Sequence, residues 1–224
     1  MRFHDRQDAG RQLADELAAY AGRPDVLVLA LPRGGVPIGA VIADRLGVPL
    51  DVWLVRKLGV PGYPELAMGA IAAGGIQVLN DDVIDSLHVP ASEIAQVATR
   101  ERTELDRRAH AFRGDRPLPP VRDRLVILVD DGLATGATME AAIAAVRSLA
   151  PSAIVVAVPV GARETCDRLR GLADRLVCAQ TPSGFRAVGE WYDDFSQTTD
   201  EDVRRLLDAA AARSIPSATG RGAP

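Results

Sequence analysis

The sequence predicts an α/β fold in which a parallel sheet is covered by helices on both faces. Short continuous apolar runs, such as VLVLAL at 26–31 and LVILV at 125–129, are typical of strands buried on both faces. These runs alternate along the chain with longer segments of helical composition. Strands and helices in this order form parallel sheets, in which a right-handed crossover connects each strand to the next. The chain of 224 residues is long enough for one domain with a substantial core.

The individual elements follow from where apolar runs lie between turn residues. Gly74 and Gly75 join two short runs, 70–73 and 76–79, and predict a hairpin. The segment 59–64 (GVPGYP) is too rich in glycine and proline for a helix or strand, and residues 214–224 are expected to be disordered. Strands are expected at 26–31, 50–55, 125–129, 153–158 and 175–178, and helices at 10–20, 36–46, 91–112, 139–149, 163–171 and 200–213.

The composition argues against nucleic-acid and membrane partners. The chain has a net charge of −4, whereas nucleic-acid-binding proteins usually carry an excess of basic residues. The first ten residues are too charged for a secretory signal, and the apolar runs are too short to span a membrane. The spacing of Cys166 and Cys178 is not that of metal ligands. We therefore expect both cysteines to be reduced thiols in the core. Together these features predict a cytoplasmic protein.

The most informative stretch is LVILVDDGLATGAT, at 125–138. Its predicted strand ends at Asp130 and Asp131, on the edge of the sheet where ligands bind in open α/β folds. The loop that follows opens a helix, whose free N–H groups, with the Thr135 and Thr138 hydroxyls, suit a dianionic phosphate. Two carboxylates beside that phosphate suit the neighbouring hydroxyls of a ribose.

The alternative to a ligand site is an ordinary turn, because Asp-Asp-Gly after a strand is also a common turn sequence. A plain turn requires neither both acids nor the threonines on either side of Gly136, so the whole stretch favours a ligand site. Other phosphate loops fit badly, since the chain has neither GxxxxGK followed by Ser or Thr nor a GxGxxG after a strand.

The stretch resembles the motif that binds 5-phosphoribosyl 1-diphosphate (PRPP) in type I phosphoribosyltransferases. The resemblance implies a Rossmann-like parallel sheet with a flexible lid and a small hood. It also implies a homodimer whose partners are PRPP, a small-molecule nitrogen acceptor and Mg²⁺. Asp130 and Asp131 would hold the ribose 2- and 3-hydroxyls and contact the metal indirectly, through substrate and water. The implied 5-phosphate loop comprises Ala134, Thr135, Gly136, Ala137 and Thr138.

A second motif, LPRGG at 31–35, follows the first predicted strand. Gly34 and Gly35 leave the backbone open to a ligand, and Arg33 offers a planar fork of donors to phosphate oxygens. Alone, the motif is also compatible with a plain turn between strand and helix. It resembles the PRGG form of the family's pyrophosphate loop, which implies that Arg33 and the two glycine amides contact the pyrophosphate of PRPP.

A third segment, 56–75, corresponds by resemblance to the lid that closes over PRPP and excludes water. Lys57 is the single lysine among 26 basic residues, a mild indication that an ammonium is wanted there. We predict that Lys57 or Arg56 neutralises charge on the departing pyrophosphate. The alternative is a mobile surface loop without chemistry.

A fourth segment, about 179–202, holds clustered aromatic residues and falls where a C-terminal hood would lie. Its VGEWYDDFSQ run resembles a subgroup of predicted phosphoribosyltransferases. The aromatic rings could stack on a planar acceptor or could anchor the last helix to the core. Members of the resembled family that use oxopurines carry a lysine and an acid where this chain has 177–180 and Ala134, so the resemblance implies a weaker case for an oxopurine acceptor. The candidate acceptor residues are Phe185, Val188, Trp191 and Tyr192.

These features predict a single domain over 1–213 and a Mg²⁺-dependent phosphoribosyltransferase. The implied catalytic residues are Asp130, Asp131, Arg33 and Lys57, with Arg33, Gly34, Gly35 and Arg56 on the pyrophosphate. An alternative from another class is a non-catalytic protein that senses PRPP with the same pocket.

Overall fold

The strands of the computed structural model, which describes residues 2–214 apart from the side chains of Glu65 and Ser214, form two sheets. One sheet has five parallel strands and the other has three antiparallel strands. In chain order the strands are β1 (Val26–Ala30), β2 (Leu50–Val52), β3 (Val55–Val60), β4 (Tyr63–Ala72), β5 (Ile76–Leu79), β6 (Leu125–Val129), β7 (Ala153–Val160) and β8 (Arg175–Gln180).

The helices flank the parallel sheet on both faces. Helices α1 and α2 pack together under one face, and α5 covers the other, as the two apolar clusters on either side of β1 and β6 show. In chain order the helices are α1 (Arg6–Glu16), α2 (Gly35–Leu46), α3 (Asp81–Ser86), α4 (Ala91–Arg113), α5 (Ala137–Arg147), α6 (Arg163–Leu169) and α7 (Asp200–Ser214).

The parallel sheet has the strand order β2-β1-β6-β7-β8, which confirms the predicted α/β class. The direction in which strands are added reverses between β1 and β6, and a crevice opens at such a point outside the carboxyl ends of the strands. The last residues of the two strands, Ala30 and Val129, are direct partners in the ladder. The loops that follow them therefore emerge side by side.

Every residue of β1 and β6 is buried, as the continuous apolar runs predict. The side chains of β6 alternate between two clusters, with Ile127 and Val129 facing α1 and α2 and with Leu128 facing α5. A rigid, doubly covered strand thus carries the acidic pair that follows it.

The N-terminal helix begins earlier than expected, at Arg6 rather than residue 10. The Asp5 carboxylate accepts a hydrogen bond from the Asp8 N–H and caps the helix. The first turn is polar, so apolar periodicity did not reveal it. Helix α5 likewise starts at Ala137, two residues before the predicted start.

The expectation of a loop at 59–64 is wrong, because β3 and β4 continue through it and leave a turn only at Pro61 and Gly62. A register shift beside Gly59 brings its backbone close to Pro64, so that a Cβ there would lie 2.6 Å from the Pro64 carbonyl oxygen. The glycine and proline thus serve a bulged hairpin. The predicted hairpin around Gly74 and Gly75 is confirmed, with Ala70 opposite Val78.

Two further outcomes concern segments outside the main sheet. Helix α3, capped by the Asn80 side chain, was not predicted. The predicted disordered tail lies outside the described residues, except that Ser214 ends α7. Within the described part of the chain, none of the helices is both long and apolar enough to cross a membrane.

Candidate active site

The two predicted loops after β1 and β6 meet in close contact. A Cβ on Gly34 would lie 1.9 Å from Asp131 Oδ2, and one on Gly35 would lie 2.5 Å from the Val129 carbonyl oxygen and 2.9 Å from the Asp130 Cα. Such distances exclude any side chain, so both glycines are needed for the loops to approach. The structure therefore brings the LPRGG and DDGLATGAT motifs into one site.

The 134–138 loop is open to solvent at its tip and fixed from behind. Ala134, Thr135 and Thr138 are exposed, whereas Gly136 is buried with a φ of +77°. From α6, the Thr165 hydroxyl donates to the Ala134 carbonyl at 2.7 Å. Because α5 begins directly after Gly136, its first N–H groups point towards this loop. The arrangement is suited to binding a phosphate at a helix N-terminus.

The Asp130 and Asp131 carboxylates lie between the loop after β1 and the 134–138 loop. Asp130 Oδ1 accepts a hydrogen bond from the Asp131 N–H at 2.8 Å. Burial and the neighbouring Asp131 charge raise the pKa of the Asp130 carboxyl well above its ordinary value, against the lowering effects of that hydrogen bond and of Arg6. Two neighbouring carboxyl groups thus share a partly buried site, where ionising both of them is unfavourable.

A cluster from both ends of the described chain holds Asp131. Arg6 Nε and Nη2 donate to Asp131 Oδ2 at 3.0 and 2.8 Å. The Tyr192 hydroxyl donates to the Asp131 carbonyl oxygen at 2.7 Å. The Tyr192 ring is buried between Phe3 and Phe195, with centroid distances of 5.6 and 5.1 Å. The hood segment is therefore joined directly to the loop after β6.

Arg33 lies at the solvent-exposed edge of the site. Its side chain is 41% exposed, and its Nη1 lies 3.6 Å from Asp200 Oδ1 at the start of α7. The Pro32–Arg33 peptide bond is cis. Such an exposed and weakly paired guanidinium remains accessible to an anionic ligand.

The hairpin β3–β4 and helix α4 enclose a cleft of about 1040 Å³ beside the two loops. Arg56 and Lys57 line it together with Pro32 and Thr138, so the predicted lid pair does reach the same site. Arg56 is held by Glu101, whose Oε2 accepts from Nε and Nη2 at 2.8 and 2.5 Å. The lid segment is thus an ordered pair of strands, and Arg56 has a fixed orientation.

The four candidate acceptor residues belong to, or pack against, the core cluster that α1 and α2 share with the sheet. Val188 covers Gly132, where a Cβ would lie 2.6 Å from the valine Cγ1. Phe185 and Trp191 are partly buried against the core cluster below the sheet. Tyr192 is buried and acts on the backbone of Asp131. The rings of Phe185, Trp191 and Tyr192 therefore pack on the core, and their role towards an acceptor stays a prediction.

Three side chains that bind candidate site residues were not predicted from the sequence: Arg6, Glu101 and Thr165. Arg6 and Asp131 are separated by 125 residues, and no local spacing links them. Glu101 lies on a long polar helix, where one buried glutamate resembles its exposed neighbours.

The predicted core cysteines are free thiols whose sulfurs lie 3.5 Å apart behind the phosphate-type loop, a proximity that their separation in sequence does not suggest.

An α/β sheet with a phosphate-type loop, an acidic pair and a glycine loop at its topological switch point defines a nucleotide- or sugar-phosphate-binding class. The family model for the phosphoribosyl transferase domain matches residues 3–194. The chain belongs to this family.

Curated relatives from two strains of Mycobacterium tuberculosis, CDC 1551 and H37Rv, both carry the name "Putative phosphoribosyl transferase". Each is 49% identical over 208 residues, which are 93% of this chain and 47% of the relative. The chain therefore spans about half the length of these curated relatives.

Solved structures support the same fold. The crystal structure of TT1426 from Thermus thermophilus is 46% identical, covers 92% of this chain and 98% of its own, and superposes with a TM-score of 0.86. The AQ2163 protein of Aquifex aeolicus, at 11% identity, covers 82% of this chain and 78% of its own with a TM-score of 0.51, a similarity of fold alone.

Proposed function

We propose that the protein transfers the 5-phosphoribosyl group of PRPP to a nitrogen acceptor and releases pyrophosphate. One observation carries the proposal: the acidic pair lies between an open phosphate-type loop and a glycine loop that also carries an accessible arginine, Arg33. This order matches the 5-phosphate, ribose and pyrophosphate of one PRPP molecule laid across the switch point.

In the proposed reaction, the bond from the anomeric carbon to the pyrophosphate oxygen breaks and its electron pair leaves with pyrophosphate. The acceptor nitrogen supplies the electron pair for the new bond and then loses its proton to water. The 134–138 loop holds the 5-phosphate, and the Asp130 and Asp131 carboxylates hold the ribose hydroxyls. Their negative charge also favours positive charge building on the sugar.

Arg33, with the amides of Gly34 and Gly35, is assigned to the pyrophosphate. Arg56 and Lys57 line the adjoining cleft and are assigned to the charge that develops on the leaving group. Glu101 supports this role because it fixes the Arg56 guanidinium from behind. We also propose that the β3–β4 hairpin closes over PRPP and excludes water.

Mg²⁺ is the cofactor that fits the donor set, since carboxylate oxygens are hard ligands. Among the described residues, no three Asp, Glu, His or Cys side chains gather as a metal site. Asp130 and Asp131 would therefore hold the ion through substrate and water. When bound, Mg²⁺ would offset the charge of the pyrophosphate.

The acceptor side is assigned to Phe185, Val188, Trp191 and Tyr192. Val188 is the member that covers the loop after β6, so we expect its side chain to limit the size of the acceptor. Ala134 is exposed and offers no acid to an acceptor nitrogen. We also expect a homodimer, for which light scattering after gel filtration is the direct measurement.

The proposal is tested by following pyrophosphate release from PRPP and Mg²⁺ with a panel of nitrogen heterocycles. At least one acceptor should support turnover in the wild-type protein. A variant combining Asp130→Asn with Asp131→Asn should be inactive but folded. The matched control combines Asp15→Asn with Asp44→Asn, which removes two exposed carboxylates and should leave turnover unchanged.

The alternative is a protein that binds PRPP without turnover, and it is favoured by Ala134, which offers no acid to an acceptor nitrogen. In that case, PRPP would bind but no member of the panel would release pyrophosphate. If the wild-type protein did not bind PRPP, both candidate functions would be ruled out.

A further inference from the structure

The first residue of α1 makes a rigid contact with the acidic pair. Both Arg6 donors to Asp131 end on Oδ2, and the third side-chain donor, Nη1, binds the Ser196 carbonyl oxygen at 2.8 Å. The two side chains are only 11% and 17% exposed. A planar guanidinium with three directed hydrogen bonds has little freedom to move.

Aromatic rings also pack against the Arg6 guanidinium. The central carbon of Arg6 lies 4.0 Å from the centroid of the Phe195 ring, within the range of a cation–π contact. Phe195 packs on Tyr192, whose hydroxyl binds the Asp131 carbonyl oxygen. Side chain and backbone of Asp131 are therefore held by one group of residues, which we call the clamp: Arg6, Tyr192, Phe195 and Ser196.

We propose that Arg6 is a positioning residue for the ribose site. Its two bonds to Oδ2 set the rotation of the Asp131 carboxylate and leave Oδ1 to accept a hydrogen bond from a ribose hydroxyl. This inference rests on the proposed function, and it extends the sugar-binding site to α1 and to the hood. Arg6 acts through Asp131 and does not itself contact the reacting atoms.

The charge of Arg6 matters as much as its shape. Asp130 and Asp131 are adjacent carboxylates in a half-buried site, and their mutual repulsion favours rotation of one of them away from the other. The guanidinium offsets one of these charges. A neutral side chain at position 6 would restore the repulsion, while a lysine would keep the charge but lose the two-bond fork.

Two other roles would give different results. Arg6 could merely fasten α1 to the core, in which case its loss would lower stability without any preference among ligands. It could instead block Asp131, in which case its loss would tighten ribose binding.

The test compares Arg6→Gln with wild type by calorimetric titration of three probes in the presence of Mg²⁺: PRPP, ribose 5-phosphate and inorganic pyrophosphate. The matched control is Arg11→Gln on the same helix, which removes an exposed arginine paired with Asp8. We expect Arg6→Gln to raise the Kd of PRPP and of ribose 5-phosphate about tenfold, the scale of one charge-assisted hydrogen bond. The Kd of pyrophosphate, which has no ribose hydroxyls, should change less than about twofold.

Arg6→Lys should give an intermediate Kd for both ribose ligands, and it decides the question if Arg6→Gln does not fold. Unchanged or tighter ribose binding would overturn the inference, as would equal weakening of all three ligands. A wild-type protein that binds none of the probes would instead overturn the proposed function, and the inference with it.

Discussion

Gly34 and Asp131 are packed so closely that a Cβ on the glycine would lie 1.9 Å from the Asp131 Oδ2 atom. The contact joins the loop after β1 to the loop after β6, at the point where the strand order reverses. Because Arg6 binds the same Oδ2 atom, the carboxylate is confined between a backbone and a guanidinium. The glycine is therefore needed for the geometry of the acidic pair.

Gly34→Ala should displace the Asp131 carboxylate and weaken PRPP binding by at least about tenfold, since the methyl group has no free volume to enter. The measurement is the Kd of PRPP, with thermal unfolding as a check that the variant is folded. Gly171→Ala is the control, because a Cβ there would meet its nearest neighbour at an ordinary 3.4 Å. An unchanged Kd in Gly34→Ala would contradict the role assigned to this contact.

Asp130→Asn should stabilise the protein near neutral pH while it removes function. The pKa of the Asp130 carboxyl is raised in the folded state, chiefly by burial and then by the Asp131 charge. Its neutral form therefore favours folding at low pH, and this stabilisation is lost as the pH rises towards the raised folded pKa. Asparagine does not titrate and can still accept the Asp131 N–H.

We expect the free energy of unfolding of Asp130→Asn to exceed that of wild type by about 1 kcal/mol at pH 8, or roughly 2–4 °C in Tm. The difference should shrink as the pH falls towards the ordinary carboxyl pKa. Urea unfolding at pH 4 and pH 8 measures it, with exposed Asp25→Asn as the control. Equal stability at pH 8 would mean that Asp130 carries no burial penalty.

Glu101→Gln should destabilise the cleft and loosen Arg56. Burial raises the pKa of the Glu101 carboxyl, but hydrogen bonds from Arg56 and Arg100 hold it below the ordinary value. The stabilisation from these pairs is therefore present above the ordinary carboxyl pKa and is lost as the pH falls. We expect a loss of about 1–3 kcal/mol at pH 7 and weaker pyrophosphate binding.

The control for Glu101→Gln is Glu104→Gln on the same helix. Arg107 and Arg108 hold the pKa of Glu104 at about 2, yet the side chains of these two partners are 62% and 41% exposed, so water screens both pairs. Chemical unfolding should show a clear loss for the first variant and little change for the second. The same loss in both would contradict a buried, directed role for Glu101.

The sequence predicts local features well and long-range contacts poorly. Strand β6 and the loop after it were predicted because their signals lie within consecutive residues, from the apolar run to Asp130 and Gly136. The lid strands were missed because Gly59 and Pro64 favour a turn by composition, whereas pairing with β4 and a bulge decide the outcome. The Arg6 contact depends on the N-terminal helix meeting the loop after β6, which only the folded chain establishes.

The most direct test of the account is calorimetric titration of PRPP into the protein with and without Mg²⁺. The proposed site predicts saturable binding that is tighter with Mg²⁺ and is lost in the variant combining Asp130→Asn with Asp131→Asn. Absence of binding at millimolar PRPP, or the same affinity in the double variant, would contradict the assignment of Asp130, Asp131 and the 134–138 loop to the phosphoribosyl group.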